Sequence, residues 1–120
     1  MIQTSILNTD PAILYHQVTG CMSESEAIAG ARDALALLDR LQGKRPIGVV
    51  LDLRNYTFDD LQAHRAWSVH FKQKLAGRNV DRVALIGKDN PTLEAEKTLM
   101  ESDNLRFFSE PDAAKKWFLT

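Results

Sequence analysis

The longest apolar run in the chain is Ile47 to Leu53, Ile-Gly-Val-Val-Leu-Asp-Leu, interrupted only by Gly48 and Asp52. A run without polar alternation predicts a central strand covered on both faces, because a strand flanked by helices has no water-facing side. It delivers Asp52, Arg54, Asn55, Tyr56 and Thr57 to its C-terminal end, the edge at which open α/β sheets bind ligands. Val80 to Gly87 repeats the buried pattern, and Leu105 to Phe108 is a brief strand. Ile2 to Leu7 and Ala12 to Thr19 are short β-branched or aromatic segments separated by the turn cluster Asn8-Thr9-Asp10-Pro11, which predicts an opening antiparallel hairpin. In its second strand Leu14, His16 and Val18 share one face and Ile13, Tyr15 and Gln17 the other; Gly20 ends it.

Between the strands the apolar spacing changes to threes and fours. Ser23 and Glu26 form a capping-box pair ahead of Ile28, Ala31, Leu35 and Leu38, flanked by Ala27, Ala34 and Leu41, and Gly43 stands where a left-handed C-cap closes the helix. A second helix is expected to start at Thr57, with Asp60 three residues on. It carries Leu61, Trp67, Phe71 and Leu75, with Ala63, Ala66 and Val69 between, and ends near Gly77. Asn90-Pro91 opens a short helix to about Met100, and Ser109-Glu110-Pro111-Asp112 opens a last one with Ala113, Ala114, Trp117 and Phe118. The order β-β-α-β-α-β-α-β-α implies one α/β domain over residues 1–120. Its sheet is mixed and mostly parallel, with about five strands and about four helices joined by right-handed crossovers.

Composition narrows the function classes. Of 120 residues 44% are hydrophobic and 26% charged, with a net charge of −1. That is an ordinary globular balance, without the basic excess of a nucleic-acid binder or an apolar stretch long enough to span a membrane. Cys21 is the single cysteine, so an intramolecular disulfide is ruled out, and the start lacks a signal-peptide pattern; a reducing, cytoplasmic setting is expected.

Several stretches together resemble a known family. Val49-Val50-Leu51-Asp52-Leu53, then Tyr56-Thr57-Phe58-Asp59-Asp60, Val83-Ala84-Leu85-Ile86-Gly87, and the ending from Arg106-Phe107-Phe108 to Ala113-Ala114-Lys115-Lys116-Trp117 are similar to the SpoIIAA-like branch of the STAS superfamily. These are the sulfate-transporter and anti-sigma-factor-antagonist modules. The resemblance covers nearly the whole chain, the first hairpin least. It implies a bacterial, non-enzymatic domain of one mixed sheet and four helices. In the antagonists, the loop after the central strand and the helix starting there meet a partner kinase, and a serine at that helix start is phosphorylated. On the pattern Asp-Leu-Ser-Gly-Val-Thr-Phe-Ile-Asp-Ser-Ser-Gly-Leu the chain keeps Asp52, Leu53, Thr57, Phe58 and Asp60, but has Leu61 at the phosphorylated serine and Gln62 after it. Thr57 is the nearest hydroxyl and is read as a helix cap.

The remaining chemistry-bearing groups have plain structural readings. Asp52 with Arg54 has the look of a catalytic pair, yet Arg54 stands where phosphoryl-transfer enzymes place a second aspartate, and Asp52 is expected to bond loop amides instead. Asp59, Asp60 and His64 fall on one helix start, where acidic residues suit the dipole. A metal site needs three or more convergent ligands, and neither His16 nor His70 has a spacing that recruits it. Cys21 precedes a helix but has no second cysteine or spaced histidine set. Lys72, Lys74, Arg78 and Arg82 read as a solvated face, positive charge being favourable at a helix C-terminus. The amides at the helix starts Thr57 and Asn90 suit an anion, but Gly87-Lys88-Asp89 is no phosphate loop. No catalytic residue, metal or cofactor is assigned.

Two functions follow as expectations. The first is a regulatory interaction domain with a protein partner, bound through Asp52, Arg54, Asn55, Tyr56, Thr57, Phe58, Asp59, Asp60, His64, Trp67, Gly87 and Lys88. The second is a carrier of a small hydrophobic molecule or lipid in a pocket under Tyr56, Phe58 and Trp67, since some relatives of the family group with lipid-carrying folds.

Overall fold

All six residues of β3 (Ile47–Asp52) are buried, and β3 is the middle strand of a five-stranded sheet. The computed structural model describes residues 1–7, 12–41, 47–57, 60–75, 78, 80–87 and 105–119. The spatial order follows the chain: β1 (Ile2–Leu7), β2 (Ile13–Val18), β3, β4 (Val80–Ile86), β5 (Leu105–Phe108). β1 runs antiparallel to β2 and every other neighbouring pair is parallel, so the opening hairpin and the mixed, mostly parallel sheet are both present. Among the described residues three α-helices pack on it: α1 (Glu24–Leu41), α2 (Leu61–His70) with a 3₁₀ turn at Lys72–Leu75, and α3 (Pro111–Phe118). The helix expected from Asn90 to about Met100, the turn Asn8 to Pro11 and the glycines Gly43 and Gly77 lie outside the described residues.

Alternation along the strands divides the core in two. Leu14 and Val18 of β2, Val49 and Leu51 of β3 and Leu85 of β4 face α1 and α2, where Ala27, Ala31, Ala34, Leu35 and Leu38 of α1 meet Ala63, Trp67 and Phe71. Ile13, Val50, Ala84 and Ile86 face the other way, onto Ala114 and Phe118 of α3. Ahead of α1 the serine half of the capping pair forms, the Glu26 amide donating to Ser23 Oγ at 3.1 Å, while the Glu26 carboxylate lies 3.8 Å from the Met1 amino group.

The start of α2 differs from the sequence expectation. Asp60, not Thr57, caps it, accepting from the Ala63 amide at 3.1 Å with extended backbone at φ −123° and ψ 104°. The cause lies upstream: the Thr57 amide donates to Gly20 O at 2.8 Å, and Tyr56 bridges to Gly20, so this segment is held extended beside the end of β2. The inward face of α2 is then set by Ala63, His64 and Trp67. Leu61 and Val69 each lie two positions, about 200° of rotation, from that face. They are 55% and 48% exposed, so these two are surface residues and not the core positions their apolarity suggested.

Gly48 faces α3, and a Cβ there would come 2.8 Å from the Phe118 ring. Gly48→Ala is expected to cost about 1–3 kcal/mol through overpacking. Combined with Phe118→Leu the cost should be less than additive, read from urea midpoints of the two single variants and the double variant.

Candidate functional site

Asp52 ends β3 with its side chain 1% exposed, and four donors converge on it. Oδ1 accepts from the Arg54 amide at 3.2 Å and Arg54 Nε at 3.0 Å; Oδ2 accepts from Arg54 Nη2 at 2.8 Å and from the Tyr15 hydroxyl. Burial alone would raise the Asp52 pKa, but the hydrogen bonds from Arg54 and Tyr15 outweigh it and hold the carboxyl below its ordinary value. Burial, reinforced by the carboxylate beside it, pushes the Tyr15 phenol up to about 12. The bonds to Asp52 likewise hold Arg54 above its ordinary value. Four lone-pair directions on the carboxylate meet four donors, so Asp52 offers no free oxygen to a substrate or a metal. It ties the end of β3 to β2 and to its own following turn, the structural role read for it in the sequence.

That turn is fixed by backbone bonds. The Leu53 amide donates to Ile86 O at 2.8 Å, Tyr56 to Leu53 O at 3.2 Å, and Gly20 to Asn55 O at 2.8 Å. Gly20 takes φ +64°, a left-handed conformation that glycine adopts without a steric cost. Gly87 extends the same edge, its amide donating to Phe108 O at 3.1 Å. On this frame Asn55, Thr57, Asp60 and Leu61 are exposed, while Arg54 and Tyr56 are half-buried.

Behind the turn, rings run from the surface inward. Tyr56 stacks on His64 with centroids 6.0 Å apart, and its hydroxyl lies 3.4 Å from His64 Nδ1. His64 packs at 5.7 Å on Trp67, which is fully buried, and Phe71 packs on His16 at 4.2 Å. Trp67 Nε1 donates to His16 Nε2 at 3.0 Å, which leaves the imidazole proton on Nδ1, 3.0 Å from Thr4 Oγ1. Burial lowers the His16 pKa to about 4, so the ring is neutral at physiological pH.

The role of His16 as the acceptor for Trp67 was not read from the sequence. The signal was there: one histidine on a strand face otherwise made of Leu14 and Val18, and a core tryptophan whose N–H needs an acceptor.

Of the predicted site residues, Asp52, Arg54, Asn55, Tyr56 and Thr57 come together in the turn, with Gly87 at the end of the neighbouring strand. Asp60 and His64 stand at the start of α2. Asp60 Oδ1 is occupied by the cap while His64 turns inward to Tyr56, so the two do not converge as ligands. Trp67 belongs to the core, and Phe58, Asp59 and Lys88 lie outside the described residues. No group of three His, Cys, Asp or Glu side chains suited to a metal occurs among the described residues. The basic stretch is dispersed: Arg78 pairs with Asp39 at 3.0 Å, and Arg82 donates to Trp117 O and covers its ring at 5.2 Å. Cys21 is exposed, one residue from the Gly20 bridge. No described helix is long and apolar enough to cross a membrane.

The hairpin, the parallel strands beyond it and the helices after β2 and β3 together make a SpoIIAA-like fold. The chain is similar to an uncharacterized protein of the DUF3478 family with a SpoIIAA-like fold from Shewanella loihica PV-4. The two share 22% identity at a TM-score of 0.67, over 97% of this chain and 92% of that one. No protein-family model and no curated protein sequence matches the chain.

His16 makes stability depend on pH with a definite sign. Its folded pKa, about 4, is below the unfolded value of 6.5, so the unfolded chain binds more protons in that window. The stability is fully present above the unfolded value and falls, by on the order of 3 kcal/mol, as pH drops to the folded one. The contribution of Asp52 is lost only at still lower pH, below its ordinary carboxyl value. His16→Gln keeps an acceptor for Trp67 but cannot protonate. The stability difference between wild type and this variant, from urea titrations at successive pH values, should therefore narrow from pH 6.5 to 4.

Proposed function

We propose that this chain is a non-enzymatic, cytoplasmic interaction domain of the STAS type that binds a regulatory protein through the Arg54 to Asp60 segment and the outer face of α2. The observation that carries the reading is the contrast at the end of β3. A saturated carboxylate knot makes the turn rigid, while the side chains displayed on it stay uncommitted to catalysis. A preorganised turn loses little conformational entropy on binding, so more of the contact energy is left as affinity.

The outer face of α2 suits a protein surface. Leu61, Arg65 and Val69 are spaced four apart, which places them in one row, and two exposed aliphatic groups flank an exposed guanidinium. Arginine is among the residue types enriched where binding energy concentrates at protein interfaces, and the flanking aliphatic groups add apolar area around it. Leu61 is the first residue of α2, where the resemblance puts a phosphorylated serine. In this reading binding is not switched by phosphate at that position, and the apolar side chain is a direct contact.

Trp67 and Phe71 fill the interior beneath Tyr56 together with His16, the space a small hydrophobic ligand would occupy. Partner binding is therefore preferred to carriage of a lipid.

The test is a photoreactive phenylalanine analogue placed at Leu61, at Arg65 and, as a control, at Asp112 on α3, expressed in the host cell. A discrete adduct from the two α2 positions and none from α3 is expected. Once that adduct is identified, Leu61→Asp with Val69→Asp should weaken its binding at least about tenfold with an unchanged circular dichroism spectrum. Equal adducts at all three positions, or binding indifferent to the double substitution, would overturn the reading.

A further inference from the structure

The two edges of the sheet are finished differently. β5 has four residues with exposed Arg106 among them, short and charged in the manner that keeps an edge from pairing. β1 has six, Ile-Gln-Thr-Ser-Ile-Leu, with no charge and no proline.

The direction of the β1 backbone groups follows from its bonds to β2. Met1 N donates to Thr19 O at 2.6 Å and Thr19 N to Met1 O at 2.8 Å, so these two form a hydrogen-bonded pair. Such pairs alternate along an antiparallel ladder. In the observed register Gln3, Ser5 and Leu7 are therefore bonded to β2, while Ile2, Thr4 and Ile6 turn both N–H and C=O to the open edge. Their side chains point to the α1 face: Ile2 and Ile6 join the core cluster and Thr4 meets His16. Above them a groove of about 390 Å³ runs between Ile2 and Thr4 on one side and Gly30, Asp33, Leu37 and Arg40 of α1 on the other.

We propose that this edge is completed by β1 of a second copy, about a two-fold axis perpendicular to the sheet at Thr4. Thr4 then faces the partner's Thr4, and Ile2 faces the partner's Ile6, giving three pairs that each exchange two N–H···O bonds. The axis keeps both α1 helices on the same face and sets them antiparallel across the joint. Asp33 and Arg40, two turns apart and both exposed, then occur in opposite order on the two helices. Each carboxylate faces the partner's guanidinium, and Leu37 of each copy enters the groove of the other. Self-complementarity of this kind is what an isologous interface requires, and here both the strand pattern and the charge pattern supply it.

This surface is separate from the turn after β3, so its failure would leave the partner-binding reading standing. The test is sedimentation together with residue-resolved amide exchange on the full chain across a dilution series. The expected species has twice the 13.5 kDa chain mass. In it the amides of Ile2, Thr4 and Ile6 exchange about tenfold slower or more than in the diluted monomer, whereas Gln3 and Ser5 are unchanged. Asp33→Arg alone or Arg40→Asp alone should weaken association about fivefold, and the double exchange should restore it. A monomer at every concentration, a dimer in which those three amides stay fast, protection at monomer mass from a co-purifying peptide, or reversals without rescue would each overturn the proposal.

Discussion

The arrangement of the α1 and α2 side of the sheet depends on the buried hydrogen bond from Trp67 to His16. Both groups are fully buried, and each would be costly alone, since an unpaired indole N–H or imidazole nitrogen in the core forfeits its bonds to water at about 1–3 kcal/mol. Together they join three elements: Thr4 in β1, His16 in β2 and Trp67 in α2. The pairing also fixes the rotation of α2. With Trp67 aimed at His16, His64 one turn earlier must face Tyr56, and Leu61 and Val69 must face water. The exposed row on α2 is thus a consequence of a buried polar pair, which apolar residues of the same volume would not orient so definitely.

A second polar cluster does comparable work on the opposite side of the sheet. Alternation along β3 puts Asp52 on the α3 side, beside Tyr15, while Leu53 returns to the α1 and α2 side. The carboxylate holds the turn at the point where the ladder with β2 ends, and beyond it Tyr56 pairs in parallel with Gly20, past the end of β2. A buried charge supplied with all its donors is a positional constraint more than a source of net stability, because desolvation consumes much of the attraction. What it provides is a turn tied by hydrogen bonds both to β2 and to Arg54. The same saturation that makes the turn rigid removes Asp52 from chemistry.

Much of this architecture was legible because it rests on periodicity. The continuous run at Ile47 to Leu53, the alternation in β2 and the three-four spacing in α1 each correspond to one packing environment, and the observed faces of β2 are those read from the sequence. The register of α2 was not legible. Thr57 with Asp60 satisfies a capping pattern as well as Asp60 alone does, and only the long-range bond from the Thr57 amide to Gly20, 37 residues away by number, decides between them. Leu61 and Val69 were misplaced for the same reason, since an apolar residue near a helix start counts toward the core until the helix phase is known. Asp52 was read correctly as structural, but Tyr15 was not connected to it, because cross-strand partners become visible only with strand register.

The two proposed surfaces constrain one another geometrically. Pairing at β1 about an axis perpendicular to the sheet makes the whole sheet continuous and reverses every strand across the joint, so the C-terminal ends of the two β3 strands point in opposite directions. A turn read as a partner-binding site is therefore presented twice, at opposite ends of the assembly, with neither copy shielding the other. One rigid partner of this domain's own size, 37 Å in its longest dimension, would engage one end at a time. Engagement of both ends calls for two partner molecules or one long flexible chain, and linked binding of that kind raises avidity only when the linker spans the sites. Were both proposals to hold, the geometry would suit a module that bridges two partners better than one that clasps a single partner twice.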